Sequence, residues 1–270
     1  ASQIKGSGNI KLGTNTQFNV ADVTGDSNAD LTASVRLDNQ TNDQGSAAGG
    51  FTKLGAGTMV LSGATNTYTG TTTVQEGTLQ INGAIDGAVI IDGGTLGGTG
   101  TIGGVVTVNS GGTHAPGASV GSQVAGGATW NAGGTFQFEI NDALGTAGGP
   151  TGWDLLTLTD GSGTATLDLT ALSASNPFTI EIVSLSGTTA GEIANFVATQ
   201  PCEWEFLTYQ QLSGAFSRDL FVLDTSRFAN DTGVGYFNIV QTTSGLAIAF
   251  VPEPGAIALT LTALALLLIR

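Results

Sequence analysis

Apolar residues recur at every second position in short runs along this chain, and polar residues fill the places between them. In Thr58-Met59-Val60-Leu61-Ser62, Met59 and Leu61 fall on one strand face, and Leu79 and Ile81 do the same in Thr78-Leu79-Gln80-Ile81. The opposite face carries hydroxyls and amides. Ser62-Gly63-Ala64-Thr65-Asn66 and Gln75-Glu76-Gly77 punctuate these runs as turns, because Gly and Asn tolerate positive φ. The same alternation pairs Ile10 with Leu12, Phe18 with Val20, Val35 with Leu37, Val89 with Ile91, Val106 with Val108, and Phe136 with Phe138 and Ile140. Short strands joined by turns are predicted throughout.

A strand this short cannot bury one side alone, so it must lie against others of its kind. Gly-Thr pairs that open a strand fall at Gly57, Gly77, Gly94, Gly112 and Gly134, at intervals of 20, 17, 18 and 22 residues by subtraction. A period in this range predicts a solenoid, with coils stacked about 4.8 Å apart and backbone bonds running along its axis. The expected fold is therefore all-β, a right-handed parallel β-helix.

The residues of this stretch also carry a family resemblance. Thr52-Lys53-Leu54-Gly55-Ala56-Gly57-Thr58, Leu61-Ser62-Gly63, Asn66-Thr67-Tyr68-Thr69-Gly70, Thr73-Val74 and Gly77-Thr78-Leu79 together resemble the autotransporter-associated β-strand repeat of bacterial surface and secreted passengers. Phe18 to Asp22 with Asp30-Leu31 upstream, and Leu96 to Thr101, Val108 to Thr113 and Ala115-Pro116-Gly117 downstream, extend it over about the first two thirds of the chain. His114 stands where that pattern would place an apolar residue. The resemblance implies an exported protein whose repeats assist secretion by folding progressively outside the cell.

Composition narrows the function. The net charge is −14, with only seven Lys and Arg, which makes nucleic acid an unfavourable partner. Charged residues make up 10% and Gly numbers 42, yet the 40% hydrophobic fraction in alternating runs argues against disorder. The single cysteine, Cys202, excludes an internal disulfide and reads as a half-buried small residue. The chain begins at Ala1 and is taken as a mature or partial form.

Several chemical motifs can be matched, each against a plainer reading. Asp22, Thr24, Asp26, Asn28 and Asp30 alternate as in a calcium loop, but the sixth and twelfth places carry the wrong residues, and a solvated turn is expected. Gly98 to Gly103 satisfies G-x-G-x-x-G but opens a strand, whereas a dinucleotide site requires a helix N-terminus. Gly117-Ala118-Ser119-Val120-Gly121 satisfies G-x-S-x-G, yet the only histidine, His114, precedes it. His114 is expected to face solvent or stabilise a turn, and no metal or cofactor is expected.

Carboxylate pairs are the remaining catalytic candidates: Glu139 with Asp142, and Asp154 with Asp160, near Trp130 and Trp153. No Lys or Arg lies between Lys53 and Arg218, so a developing anion would find no cation there. A non-enzymatic protein is expected, with a β-helix polysaccharide lyase or hydrolase as the rival.

Beyond Gly161 aromatic density rises through Phe178, Phe196, Trp204, Phe206, Phe221, Phe228, Phe237 and Phe250, which reads as a cap over the apolar end of the solenoid. The chain then closes with Pro252-Glu253-Pro254, an apolar or hydroxyl run from Gly255 to Ile269, and Arg270. This end resembles the Pro-Glu-Pro C-terminal sorting signal (PEP-CTERM) of bacterial exported proteins, which implies an exosortase-type partner in the inner membrane. The fourteen residues from Ala256 to Ile269 would reach about 21 Å as a helix, against a hydrocarbon core of about 30 Å. Pro252 and Pro254 make an extended joint that leaves Glu253 accessible, and Arg270 predicts a tail directed to the cytoplasm.

Three parts are therefore expected: a β-helix over residues 1–160 with its core repeat at 49–82, a β-rich cap over 161–250, and a sorting signal with a short hydrophobic helix over 251–270. The partners expected are the sorting machinery, the membrane through the C-terminal segment, and extracellular polysaccharide or further copies of the chain. The hydroxyl-rich flank at Thr58, Ser62, Thr78 and Gln80 would be the working surface. The expected location is the cell envelope, surface or matrix.

Overall fold

The threonine after each of the spaced glycines lands in one hydrogen-bonded column. Thr58, Thr78, Thr95, Thr113 and Thr135 pair in parallel register, and Thr135 pairs in turn with Thr179. The adjacent column is Met59, Leu79, Leu96, His114, Phe136 and Ile180, all fully buried. Alternation on a pleated strand thus puts one row outward and the next inward, as the hydrophobic pattern requires.

The computed structural model describes residues 1–42 and 45–253, and over them the chain is all β apart from a 3-10 turn at Arg218–Leu220. Two long, mainly parallel sheets face each other across the core, of ten and fourteen strands among the described residues. Each coil crosses between them. Phe51–Leu54 lies in the second sheet, Thr58–Leu61 in the first, Thr72–Val74 in the second, Thr78–Ile81 in the first and Val89–Ile91 in the second. The inner column of the second sheet runs Lys53, Val74, Ile91, Val108 and Trp130.

The corner between the sheets is where glycine is obligatory. Gly77 has φ +59°, and a Cβ there would sit 2.5 Å from the Gly55 carbonyl oxygen and 2.6 Å from that of Gly57. Both the dihedral and the close stacking of one coil on the next therefore exclude a side chain.

The core widens toward the C-terminus. Aliphatic rungs give way to Trp130 stacked on Phe178 at 4.4 Å, and to Phe136 against Phe206 at 5.2 Å. Parallel pairing runs across Gly161: Phe178–Ser186 pairs with Thr135–Ile140 on one side and with Phe221–Arg227 on the other. The direction reverses only later. Cys202–Thr208 lies parallel to Leu155–Leu158, then pairs antiparallel with Gly245–Val251, which pairs antiparallel with Tyr236–Gln241. Phe196, Trp204, Phe228, Phe237 and Phe250 pack together beneath this closing hairpin.

Two expectations are corrected. His114 faces neither solvent nor a turn; it fills the inner column between Leu96 and Phe136 and is fully buried. Thr58 is not part of an open flank, because the loop ending at Asp30 lies over it and Asp30 accepts its backbone N–H at 2.8 Å. Ser62 is exposed, and Thr78 and Gln80 are half-buried. The hydrophobic helix expected over 255–269, with Pro254 and Arg270, lies outside the described residues. Among the described residues no helix is long and apolar enough to cross a membrane.

Candidate functional site

Three polar side chains hold the coil around residues 51–81 in shape. Lys53 alternates inward with Phe51, and its Nζ donates to the carbonyls of Gly55 at 2.7 Å, Glu76 at 3.0 Å and Leu54 at 3.2 Å. Burial pulls its pKa down, opposed by the charges of Glu76 and Asp30. Asn66 accepts from the Leu37 N–H at 3.0 Å and donates to the Ala84 carbonyl at 3.0 Å, so one buried amide ties three coils. Tyr68 and Thr72 share a buried hydroxyl contact at 2.7 Å. Buried polar groups must find partners, and here they are carbonyls and N–H groups of the same and neighbouring coils together with one hydroxyl of the same coil.

On the outer face of the first sheet the side chains leave a groove of about 300 Å³. Gly97 and Ala115 form its floor, where the outward row Gln80, Gly97 loses its bulk. The amides of Gln80 and Gln137, the hydroxyls of Thr78, Thr95 and Ser119, and the carboxyl of Glu139 surround it, with Ser27 contributed by the N-terminal loop. Ser119 belongs to the outward loop that Gly98 and Gly117 pin by reciprocal N–H to carbonyl bonds of 2.7 and 2.9 Å.

The carboxylates group differently from the expected pairs. Asp142 is held by the Leu144 N–H and by the Asn195 amide, and Asp160 by Ser162 and Thr164, whose hydrogen bonds lower its pKa. Asp154 instead lies by Glu139. It is fully buried, and its two oxygens accept the Gly121 and Glu139 backbone N–H groups, each at 2.8 Å. Burial, and next the charge of Glu139, push the Asp154 carboxyl well up. Burial also raises Glu139, against the pull of its 2.9 Å hydrogen bond from Gln137. Glu139 is the reachable member of the pair. Neither tryptophan is a platform beside it: Trp130 is buried in the core, and Trp153 donates Nε1–H to the Glu205 carbonyl at 2.8 Å.

The remaining motifs resolve into structure. Asp30 points inward, accepting N–H bonds from Val23, Thr24 and Thr58, which lower its pKa, while Asp22 and Asp26 cap their own turns. Among the described residues no group of three His, Cys, Asp or Glu stands close enough to hold a metal ion. Gly98 to Gly103 leads into the strand Thr101–Val108, and Ser119 precedes the strand Ser122–Trp130. Of the tripeptide expected to act as a sorting signal, Pro252 is buried and Glu253 exposed just past the strand Gly245–Val251.

Residue pattern, coil and register together define one supersecondary unit, which passes from the second sheet to the first, back to the second and into the first again. Residues 51–81 match the Passenger-associated-transport-repeat. This repeat begins at Phe51, ends at Ile81, and holds Lys53, Asn66 and Tyr68 inside one complete turn of the coil plus its next rung. No curated protein matches the chain. Inward Lys53 and the buried partner of His114, Gln123, are the residues that sequence reasoning missed. Lys53 could have been found from its even spacing with Phe51 in Phe51-Thr52-Lys53-Leu54.

Proposed function

We propose that this chain is an exported, non-enzymatic structural or adhesin-like protein of the cell surface or extracellular matrix. In this reading residues 1–160 form a right-handed β-helix whose parallel pairing runs on past Gly161, the rest of 161–250 closes its end, and 251–270 sort it. An exosortase-type enzyme would recognise Pro252-Glu253-Pro254, the apolar run would hold the chain in the inner membrane, and Arg270 would stay on the cytoplasmic side. Right-handedness follows from the twist of strands joined by parallel crossovers. The carrying observation is the Passenger-associated-transport-repeat at 51–81, continued in register by coils on both sides.

The test is fractionation of the producing cell with intact-mass measurement of the full chain. Expected is a species digestible by protease added outside the cell, ending near Pro254, with Glu253→Ala retaining the tail mass in the membrane fraction. A protein recovered inside the cell at full mass would count against the reading.

One observation favours the rival, a carbohydrate-active enzyme: Glu139, with its raised pKa, lines an open groove directly above Asp154. Asp154, however, has each oxygen taken by a backbone N–H and is closed to solvent, so it serves as a tie between coils rather than as a second acid or nucleophile. Release of reducing ends or unsaturated products from polysaccharide, abolished by Glu139→Ala, would establish the rival.

A further inference from the structure

The groove above Gly97 and Ala115 lies on the outer face of the first sheet. Beside Gly117 and Ala118, its rim carries amides, hydroxyls and one carboxyl, all side chains that exchange hydrogen bonds with hydroxyl-bearing ligands. From Gln80 through Gly97 and Ala115 to Gln137 the row climbs three rungs, so the slot is about 14 Å long and runs parallel to the solenoid axis. Its volume of about 300 Å³ is that of a small ligand site. Gly97 cannot be filled without pressure on the loop that makes the wall, since a Cβ there would lie 3.1 Å from the Ala115 carbonyl oxygen and 3.3 Å from that of Gly117.

Charge selects among ligands. Glu139 lines the slot, and the outward row that continues Gln137 carries Glu181 and Asp224 in register. The cation on this face, Arg227, is bound to Glu181 at 3.2 Å. The stretch of chain that makes the floor and most of the rim, 78–139, contains no Lys or Arg. An anionic ligand would therefore meet only negative potential.

We propose that this slot binds a short stretch of an uncharged glycan, neutral or N-acetylated, lying along the solenoid axis between Gln80 and Gln137. The proposal deepens the reading of the chain as a surface protein and rests on it for the source of the glycan. Ring hydroxyls and acetamides pair with the Gln80 and Gln137 amides, with the Thr78, Thr95 and Ser119 hydroxyls, and with the Glu139 carboxyl as acceptor. Uronic or sulfated chains are rejected by the same carboxylates.

Calorimetric titration of the full chain with cellotriose, maltotriose, chitotriose and trigalacturonate tests it. Binding of at least one of the uncharged trimers is expected, at least tenfold tighter than trigalacturonate. Ala115→Gln, which fills the slot in the outward row, should weaken that binding at least tenfold, and the nearly isosteric Thr95→Val severalfold, with circular dichroism unchanged for both. If Ala115→Gln fails to fold, Thr95→Val alone decides. Unchanged affinity in the folded variants would overturn the slot while leaving a surface role standing. Preference for trigalacturonate would overturn the ligand class, and absence of binding to all four would overturn the proposal whatever the cell fractionation shows.

Discussion

His114 is neighboured in its column by Leu96 and Phe136, with Nε2 2.7 Å from the Gln123 side-chain oxygen and Nδ1 without a partner. Burial holds its pKa down to about 4, from an ordinary 6.5. A depressed histidine pKa means that the unfolded chain takes the proton first, so stability is fully present above pH 6.5 and falls as the pH drops toward 4. The loss approaches about 3 kcal/mol from this residue. Urea melts at pH 7 and pH 4.5 should therefore differ less in a His114→Leu/Gln123→Leu variant than in the wild type. Asp154, whose pKa is raised, acts in the opposite direction in both proteins and cancels from that comparison. Lys53→Met would strand the three carbonyls that Nζ now serves and should lower stability by about 2 kcal/mol at neutral pH, measured by the same melts. The inward place of both could be read, Lys53 from its even spacing with Phe51 and His114 from the apolar position it takes in the repeat pattern, but not what satisfies them there. Alternation is read from apolar letters, and a lysine or histidine in an inward place breaks the pattern. Its satisfaction depends in part on a carbonyl of a neighbouring coil, Glu76 for Lys53, or on a side chain of another strand, Gln123 for His114, which only the stacked chain brings near.

At the level of the strand and its turn, the spacing of Gly-Thr pairs was enough. All five of those threonines fall in one register column, and the runs around Met59, Leu79, Val89, Val106 and Phe136 became strands. Glycine stacking is the reason the coils approach so closely. A Cβ at Gly83 would collide with the Gly63 carbonyl oxygen of the coil before it, and Gly100 makes the same approach to Gly83. Gly83→Val should destabilise by about 3 kcal/mol, seen as a lower urea midpoint, whereas Thr71→Ala at an exposed turn should change it by less than about 0.5 kcal/mol. The groove was only partly legible. Gln80 and Thr78 were placed on the flank from alternation, but Asp154 reaches the backbone of Gly121 across 33 residues of sequence, a distance that local periodicity does not report.

For the molecule as a whole, the reversal of direction at Gly245–Val251 matters most, because parallel edges left uncovered would recruit other chains. Ile248→Asp, in the buried row of that strand, should open the end and shift the protein to larger species in size-exclusion chromatography. The length of chain between successive threonines of the column varies widely, from 17 residues between Thr78 and Thr95 to 44 between Thr135 and Thr179, by subtraction. The column thus counts rungs and ignores residues. A foreign peptide spliced into an outward loop would ride along without disturbing its neighbours, while losing one residue from inside a strand would turn the remaining side chains of that strand inside out.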